Sequence, residues 1–357
     1  MLIAIIAILF LMNLEKAKPL EIKEPDNILF EKSAYPVFNR SINILYLDSL
    51  TLRQKIAQMI ITSDRIDDKE ALANLLIGGV YIDTKATKQE YIDSINNIQD
   101  NAIIPFFITT DMEGCINPFS SFQDFPAFKD IKTAKEAFSA GYEEGRLLKE
   151  LGFSINFAPV VDLEDTIWKC RSFSGTPQEI SEKAIAYING LQENGIIATA
   201  KHYPGKTLDV NDPHSHLVYA SLDRNDLLPF ESSIKDNVSA IMISHIIVNG
   251  SADSESRPSV VSKNLVIDLK NRFSGLIITD DINMHGLTNF YSNKEQMYID
   301  LFKAGNDIIL YLNTNIKNVE YLISVVENAV KNGEISEEKI DDSVARILGA
   351  KGILVIR

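Results

Sequence analysis

Residues 177–202 read PQEISEKAIAYINGLQENGIIATAKH, and this stretch decides the fold. Pro177 suits the first turn of a helix, because the N–H it lacks has no partner there anyway. Apolar residues then recur at helical spacing as far as Asn194. Gly195 tolerates the left-handed backbone that closes a helix. The apolar run that follows, 196–200, is strand-sized, and it ends on two ionisable side chains, Lys201 and His202. Helix, stop, strand and charged strand end make one unit of a parallel α/β protein.

The same cadence extends in both directions. Eight short apolar runs, at 58–62, 79–82, 105–110, 154–161, 196–200, 240–245, 275–279 and 307–312, alternate with amphipathic stretches. Helical periodicity is clear at 134–151, 177–194, 261–273 and 315–332. Eight such units predict a (β/α)₈ barrel. A doubly wound open sheet is the competing architecture, but it favours a glycine-rich loop between an early strand and a helix. The first candidate, Ile77-Gly78-Gly79, precedes a strand instead.

Composition narrows the function. The chain has 357 residues, 45% hydrophobic and 24% charged, which is a globular balance. Its 35 basic and 49 acidic side chains leave a formal charge of -14, the wrong sign for a nucleic-acid binder. Two cysteines, Cys115 and Cys170, give neither a disulfide framework nor a zinc signature. Residues 2–12 form an unbroken apolar run, too short to span a bilayer comfortably and suited to the apolar part of a secretory signal. No basic residue precedes it and no clear cleavage site follows. Export or membrane tethering is favoured over a segment that simply packs on the domain. The expected organisation is a leader at 1–25 and one barrel domain at 26–357.

Chemistry collects where the strands end. Asp111 and Glu113 follow the third run, Asp162 the fourth, Lys201 and His202 the fifth, His245 the sixth, and Asp280 and Asp281 the seventh. All five histidines (His202, His214, His216, His245 and His285) fall on that same side of the barrel. Ionisable groups beside buried strands cost solvation free energy unless partnered. Each has a plainer reading: Asp111 or Asp280 as a helix cap, Asp281 as a cap or support, His245 as a satisfied core residue, His285 as a helix start. Convergence at one rim marks a candidate site.

The run Ile197-Ala198-Thr199-Ala200-Lys201-His202-Tyr203-Pro204-Gly205 resembles the signature of glycoside hydrolase family 3, in particular its single-domain β-N-acetylglucosaminidase branch. Asp111-Met112-Glu113-Gly114, Phe157-Ala158-Pro159-Val160-Val161-Asp162, Arg171-Ser172-Phe173 and Thr279-Asp280-Asp281-Ile282-Asn283-Met284 agree in order and spacing. The resemblance implies a retaining glycosidase with Asp280 as nucleophile. It implies an acid/base histidine paired with an aspartate on a loop after the Lys-His-x-Pro-Gly motif. Here that pair is Asp212 and His214, and the alternative histidine is His216. Histidine suits the role because its ordinary pKa lies near neutrality. Asp111, Arg171, Lys201 and His202 would bind the sugar. No metal and no organic cofactor are implied.

Three departures from the family pattern stand out. Lys206-Thr207 replaces His-Gly, Asp212-Pro213-His214 replaces Asp-Ser-His, and Glu113-Gly114-Cys115-Ile116 replaces Glu-Gly-Gly-Arg. Cys115 is expected to be a small packed residue, not a nucleophile. The expected substrate is a cell-wall muropeptide or chitin-type oligosaccharide. A β-glucosidase, a phosphorylase or a non-catalytic sugar-binding protein are the alternatives.

Overall fold

The eight apolar runs become the eight strands of one parallel sheet in the computed structural model, which describes residues 36–209 and 211–357. The expected leader lies outside the described residues. The strands are β1 (Ile60–Ser63), β2 (Gly79–Tyr81), β3 (Phe107–Thr110), β4 (Ile155–Asn156), β5 (Ile197–Tyr203), β6 (Ala240–Ile243), β7 (Leu276–Thr279) and β8 (Ile309–Leu310). Each pairs with the next up to β7, and β8 pairs with β1 through Ile309 and Ile60. The remaining seam is closed by a parallel bridge between Ile278 and Ile308, with Thr279 N donating to Ile308 O at 3.0 Å. That closure makes the sheet a barrel and excludes the doubly wound alternative. Every residue of β3, β6 and β7 is buried, as expected of strands covered on both faces.

Helix α1 (Leu52–Gln58) leads into β1. Helices α2 (Lys69–Leu75), α3 (Lys88–Gln99), α4 (Ala134–Leu151), α5 (Pro177–Glu193), α6 (Arg224–Lys235) and α7 (Lys263–Arg272) follow β1 to β6 in turn. The short α8 (His285–Thr288) and then α9 (Lys294–Ala304) follow β7, and α10 (Ile316–Lys331) and α11 (Glu337–Ala350) follow β8. Local sequence sets these ends. Thr133 with Glu136, and Thr176 with Glu179, form reciprocal capping boxes at the starts of α4 and α5. Gly195, at φ +74°, takes the chain out of α5 as expected.

Two strands differ from expectation. β4 has only two regular residues, but the chain stays beside β5, where Thr199 N donates to Ala158 O at 2.8 Å and Lys201 N to Pro159 O at 3.1 Å, while Pro159 itself has no N–H to give. Val160 bridges both Ser172 and Lys201. β5 runs on to Tyr203, so Lys201 and His202 sit inside the strand and not after it.

The packing of α4 on α5 supports the rim from behind. A Cβ on Gly141 would lie 2.2 Å from Tyr187 O, and one on Gly190 2.4 Å from Phe138 O, so only glycine permits this approach. The approach buries Glu144 against Tyr187, whose hydroxyl donates to it. Asn156 Nδ2 donates to Tyr187 Oη (3.3 Å) and to Met112 O (3.2 Å), and Met112 N donates back to Asn156 Oδ1 at 2.9 Å. A buried polar chain thus reaches from the helix layer to the residue between Asp111 and Glu113.

Burial pushes the Glu144 carboxyl up to about 8, against an ordinary 4.5, and the Tyr187 bond offsets this only in part. The carboxyl is therefore protonated in the folded protein at neutral pH, whereas the unfolded chain has already released that proton. Its contribution to stability is whole below about 4.5 and is lost as pH rises towards about 8. Glu144→Gln is expected to remove that slope and to stabilise the protein at pH 8 by at least about 1 kcal/mol. Urea unfolding at pH 5 and pH 8 checks this, and parallel pH slopes in both proteins would contradict it.

Candidate active site

At the centre of the rim, two cations share one carboxylate. Arg171 Nη2 donates to Glu113 Oε1 at 2.8 Å, and its Nε donates to Oε2 of the same group. Lys201 Nζ contacts both Glu113 and Asp111. Glu113, Arg171 and Lys201 are all buried. Burial alone would raise the Glu113 pKa, but the Lys201 and Arg171 charges outweigh it and hold the group far below the usual carboxylate range. For Lys201 and Arg171, burial would lower the pKa and the facing carboxylates raise it. Asp111 is pushed up by burial, with Lys201 pulling the other way.

His202 is fixed from one side. Its Nδ1 lies 2.9 Å from Asp162 Oδ2, which also accepts the His202 backbone N–H at 3.1 Å. Asp162 Oδ1 accepts Thr207 N at 2.9 Å. Here the departure from His-Gly has a structural consequence. Thr207 is buried and ties the start of the following loop to Asp162, while Lys206 adopts φ +59°.

Asp280 leaves β7 with its N–H donating to Ile243 O at 3.0 Å. Its Oδ1 accepts Asp281 N at 2.8 Å. Burial favours the neutral acid, but the charges of His202, His245, Lys201 and His214 outweigh it and hold Asp280 below its ordinary value. No helix is capped by it. Asp281 instead braces the turn, accepting from Asn283 N (3.2 Å), Asn283 Nδ2 (3.0 Å) and Leu312 N (3.2 Å), and burial raises its pKa to about 6. His245 is fully buried, and its Nε2 donates to Asp281 O at 2.9 Å. Burial lowers its pKa, and its Nδ1 has no partner. His285 is the exposed first residue of α8.

The β5–α6 loop carries the remaining pair. His214 Nδ1 lies 2.6 Å from Asp212 Oδ1, which also accepts the His214 backbone N–H at 2.9 Å. The His214 side chain is 54% exposed. His285 N donates to His214 O at 3.2 Å and Gly286 N to Pro213 O at 2.8 Å, so the loop rests on α8. His214, not His216, has its ring against Trp168, centroids 5.7 Å apart and planes at 77°.

The structure brings Asp111, Arg171, Lys201, His202, Asp280, Asp212 and His214 to one rim. Sequence reasoning passed over three contributors. Glu113 was read only as a strand-end acid, and its pairing with Arg171 spans 58 residues. Trp168, the single tryptophan of the chain, carries the Arg171 guanidinium 4.5 Å from its ring centroid. The reading of Cys115 as a small packed residue is corrected: it is exposed and forms a disulfide with Cys170. Cys115 lies two residues after Glu113 and Cys170 directly before Arg171, so the bond joins the two loops that carry this ion pair. That adjacency was the available signal.

Among the described residues, no group of three or more His, Cys, Asp or Glu side chains could hold a metal ion. No described helix is long and apolar enough to cross a membrane.

Residues 51–350 match the glycosyl hydrolase family 3 N-terminal domain. The chain belongs to glycosyl hydrolase family 3. It is a glycoside hydrolase on a TIM-type barrel. It is 27% identical over 330 residues to a protein of Mycobacterium bovis named β-hexosaminidase LpqI, covering 85% of this chain and 83% of that one. A β-hexosaminidase of Psychromonas ingrahamii is 31% identical over 273 residues, 69% of this chain and 79% of that one. Among solved structures, a family 3 member from Mycobacterium smegmatis superposes with a TM-score of 0.77 at 28% identity, covering 86% of this chain and 99% of that one. A family 3 β-N-acetylglucosaminidase from Paenibacillus gives 0.77 at 26% identity, with 85% and 62% coverage.

Proposed function

We propose that this family 3 hydrolase is a retaining, exo-acting enzyme that releases β-linked N-acetylglucosamine from cell-wall or chitin-type oligosaccharides. One observation carries the reading. An aspartate held in its charged form, Asp280, lies within electrostatic reach of a solvent-facing histidine that is itself paired with an aspartate, Asp212. The names of the relatives point the same way.

The chemistry follows in two steps. His214 gives a proton to the departing oxygen while Asp280 attacks the anomeric carbon and forms a glycosyl ester. His214 then takes a proton from water, which displaces Asp280 and releases the sugar with its original configuration. Asp212 holds the imidazole with Nδ1 occupied, leaving Nε2 to exchange the proton. Asp111, Arg171, Lys201 and His202 supply donors and acceptors for sugar hydroxyls, each unmade bond costing about 1–3 kcal/mol once buried. The disulfide suits an oxidising compartment, which supports export.

The test is turnover of 4-nitrophenyl β-N-acetylglucosaminide, the matching glucoside and chitobiose, with and without phosphate. Release of free N-acetylglucosamine, and a fluoro-sugar adduct on the peptide containing Asp280, are the expected results. Sugar 1-phosphate in phosphate buffer would make it a phosphorylase. Binding without turnover would make it a sugar-binding protein.

A further inference from the structure

Trp168 sits between two parts of the rim that do different work. Its ring lies roughly at right angles to the His214 imidazole and also carries the Arg171 guanidinium. The backbone of the histidine is held against α8 by the bond from His285 N, but its ring has few restraints. Its side chain is more exposed than buried, and among the described residues Asp212 is its only side-chain hydrogen-bond partner. Asp212 is a neighbour on the same loop, so that bond turns the ring but does not tether it to the barrel.

Trp168, by contrast, is built into the barrel. Its N–H donates to Asp165 Oδ1 at 2.8 Å, and Asp165 Oδ2 accepts Cys170 N at 2.9 Å and Arg171 N at 2.8 Å. Those backbone bonds outweigh the effect of burial and lower the Asp165 pKa, so the clasp stays charged. Cys170 is bonded to Cys115 on the neighbouring loop, and Arg171 is locked to Glu113. Thr166 N, two residues before the indole, donates to Leu208 O at 3.1 Å, where the histidine loop begins. The indole stands on a braced segment, whereas the imidazole is half exposed. Aromatic pairs and cation–π contacts of this kind are each worth about 0.5–1.5 kcal/mol, enough to bias the orientation of an exposed ring.

We infer that Trp168 is a positioning residue: it docks His214 over Asp280 so that the imidazole can protonate the leaving group. This rests on the hydrolase reading above. It follows that Trp168 matters in proportion to how much proton the leaving group needs. The first chemical step, reported by kcat/KM, should become sensitive to leaving-group basicity when the indole is removed.

The experiment compares Trp168→Ala, Trp168→Phe and His214→Ala with the native enzyme. The substrates are chitobiose, whose leaving oxygen needs a proton, and 2,4-dinitrophenyl β-N-acetylglucosaminide, whose leaving group departs unaided. For Trp168→Ala, kcat/KM on chitobiose should fall about 10-fold, part of the way to the His214→Ala value, and on the dinitrophenyl glycoside by no more than about 2-fold. Trp168→Phe should keep chitobiose activity within about 3-fold. An equal loss on both substrates would mean that Trp168 only binds sugar or supports the loop, and would overturn the inference. So would full chitobiose activity in Trp168→Ala. If that variant does not fold, Trp168→Met takes its place under the same criteria. Failure of the hydrolase reading looks different, since the native enzyme would then turn over neither substrate.

Discussion

Asp280→Ala is expected to lower turnover of N-acetylglucosaminides by at least about 10⁴-fold while leaving the barrel folded. The carboxylate is the group that the rim keeps charged against its own burial, with His202, His245, Lys201 and His214 supplying the opposing field. Removing it removes the atom that would bond to the anomeric carbon, and no other acid stands in its place. Glu113 and Asp111 are engaged by Lys201, and Asp281 braces its turn. The structural cost is small, because among the described residues the only hydrogen bond its side chain makes is one accepted from the N–H of the next residue. A melting temperature within a few degrees of native should accompany the loss. Adding azide supplies a small nucleophile in the vacated space, and the product should then be the α-glycosyl azide. Native-like rates, or recovery of only the β-azide, would remove Asp280 from the mechanism.

Glu113→Ala is expected to destabilise the fold by about 3–5 kcal/mol. The glutamate lies between two buried cations, and its loss leaves Arg171 and Lys201 facing each other with one shared counter-charge fewer. Lys201 keeps Asp111, but Arg171 loses the only carboxylate it pairs with among the described residues. Glu113→Gln keeps the shape and part of the hydrogen bonding, so it should cost less. The pH dependence has a definite sign. The folded pKa lies below the unfolded one, so this stabilisation is present above the usual carboxylate range and fades as pH falls through it. Denaturant unfolding at pH 7 measures the effect, and a midpoint unchanged from native would show that the ion pair adds nothing.

Much of this was legible before any coordinates. Eight apolar runs and the helix at 177–194 lead to the barrel, because strand and helix periods are local properties of the chain. The strand-end rule placed Asp111, Lys201, His202 and Asp280 at one rim for the same reason. What escaped was long-range pairing. Nothing local in Glu113 says that Arg171 will meet it, and two cysteines 55 residues apart carry no connectivity until the loops around them are known to converge. Pro159 was visible, yet nothing local says that regular pairing stops at Asn156 while Ala158 and Pro159 still accept from β5. Asp212 two residues before His214 already favours that histidine over His216, but the pairing of the Asp212 and His214 side chains and the contact of the ring with Trp168 depend on how the loop folds.

The contrast between Asp280, rooted in a wall strand, and His214, riding an outer arm, divides the labour of this molecule unequally. On the proposed reading, recognition of the ring that stays is written into the framework, where the loss of a charge such as Glu113 also costs stability. Accommodation of whatever departs is delegated to an appendage that can be lengthened, shortened or exchanged. Diversification among such enzymes, by nature or by engineering, should therefore be sought in the arm and in its indole perch, with the framework left alone.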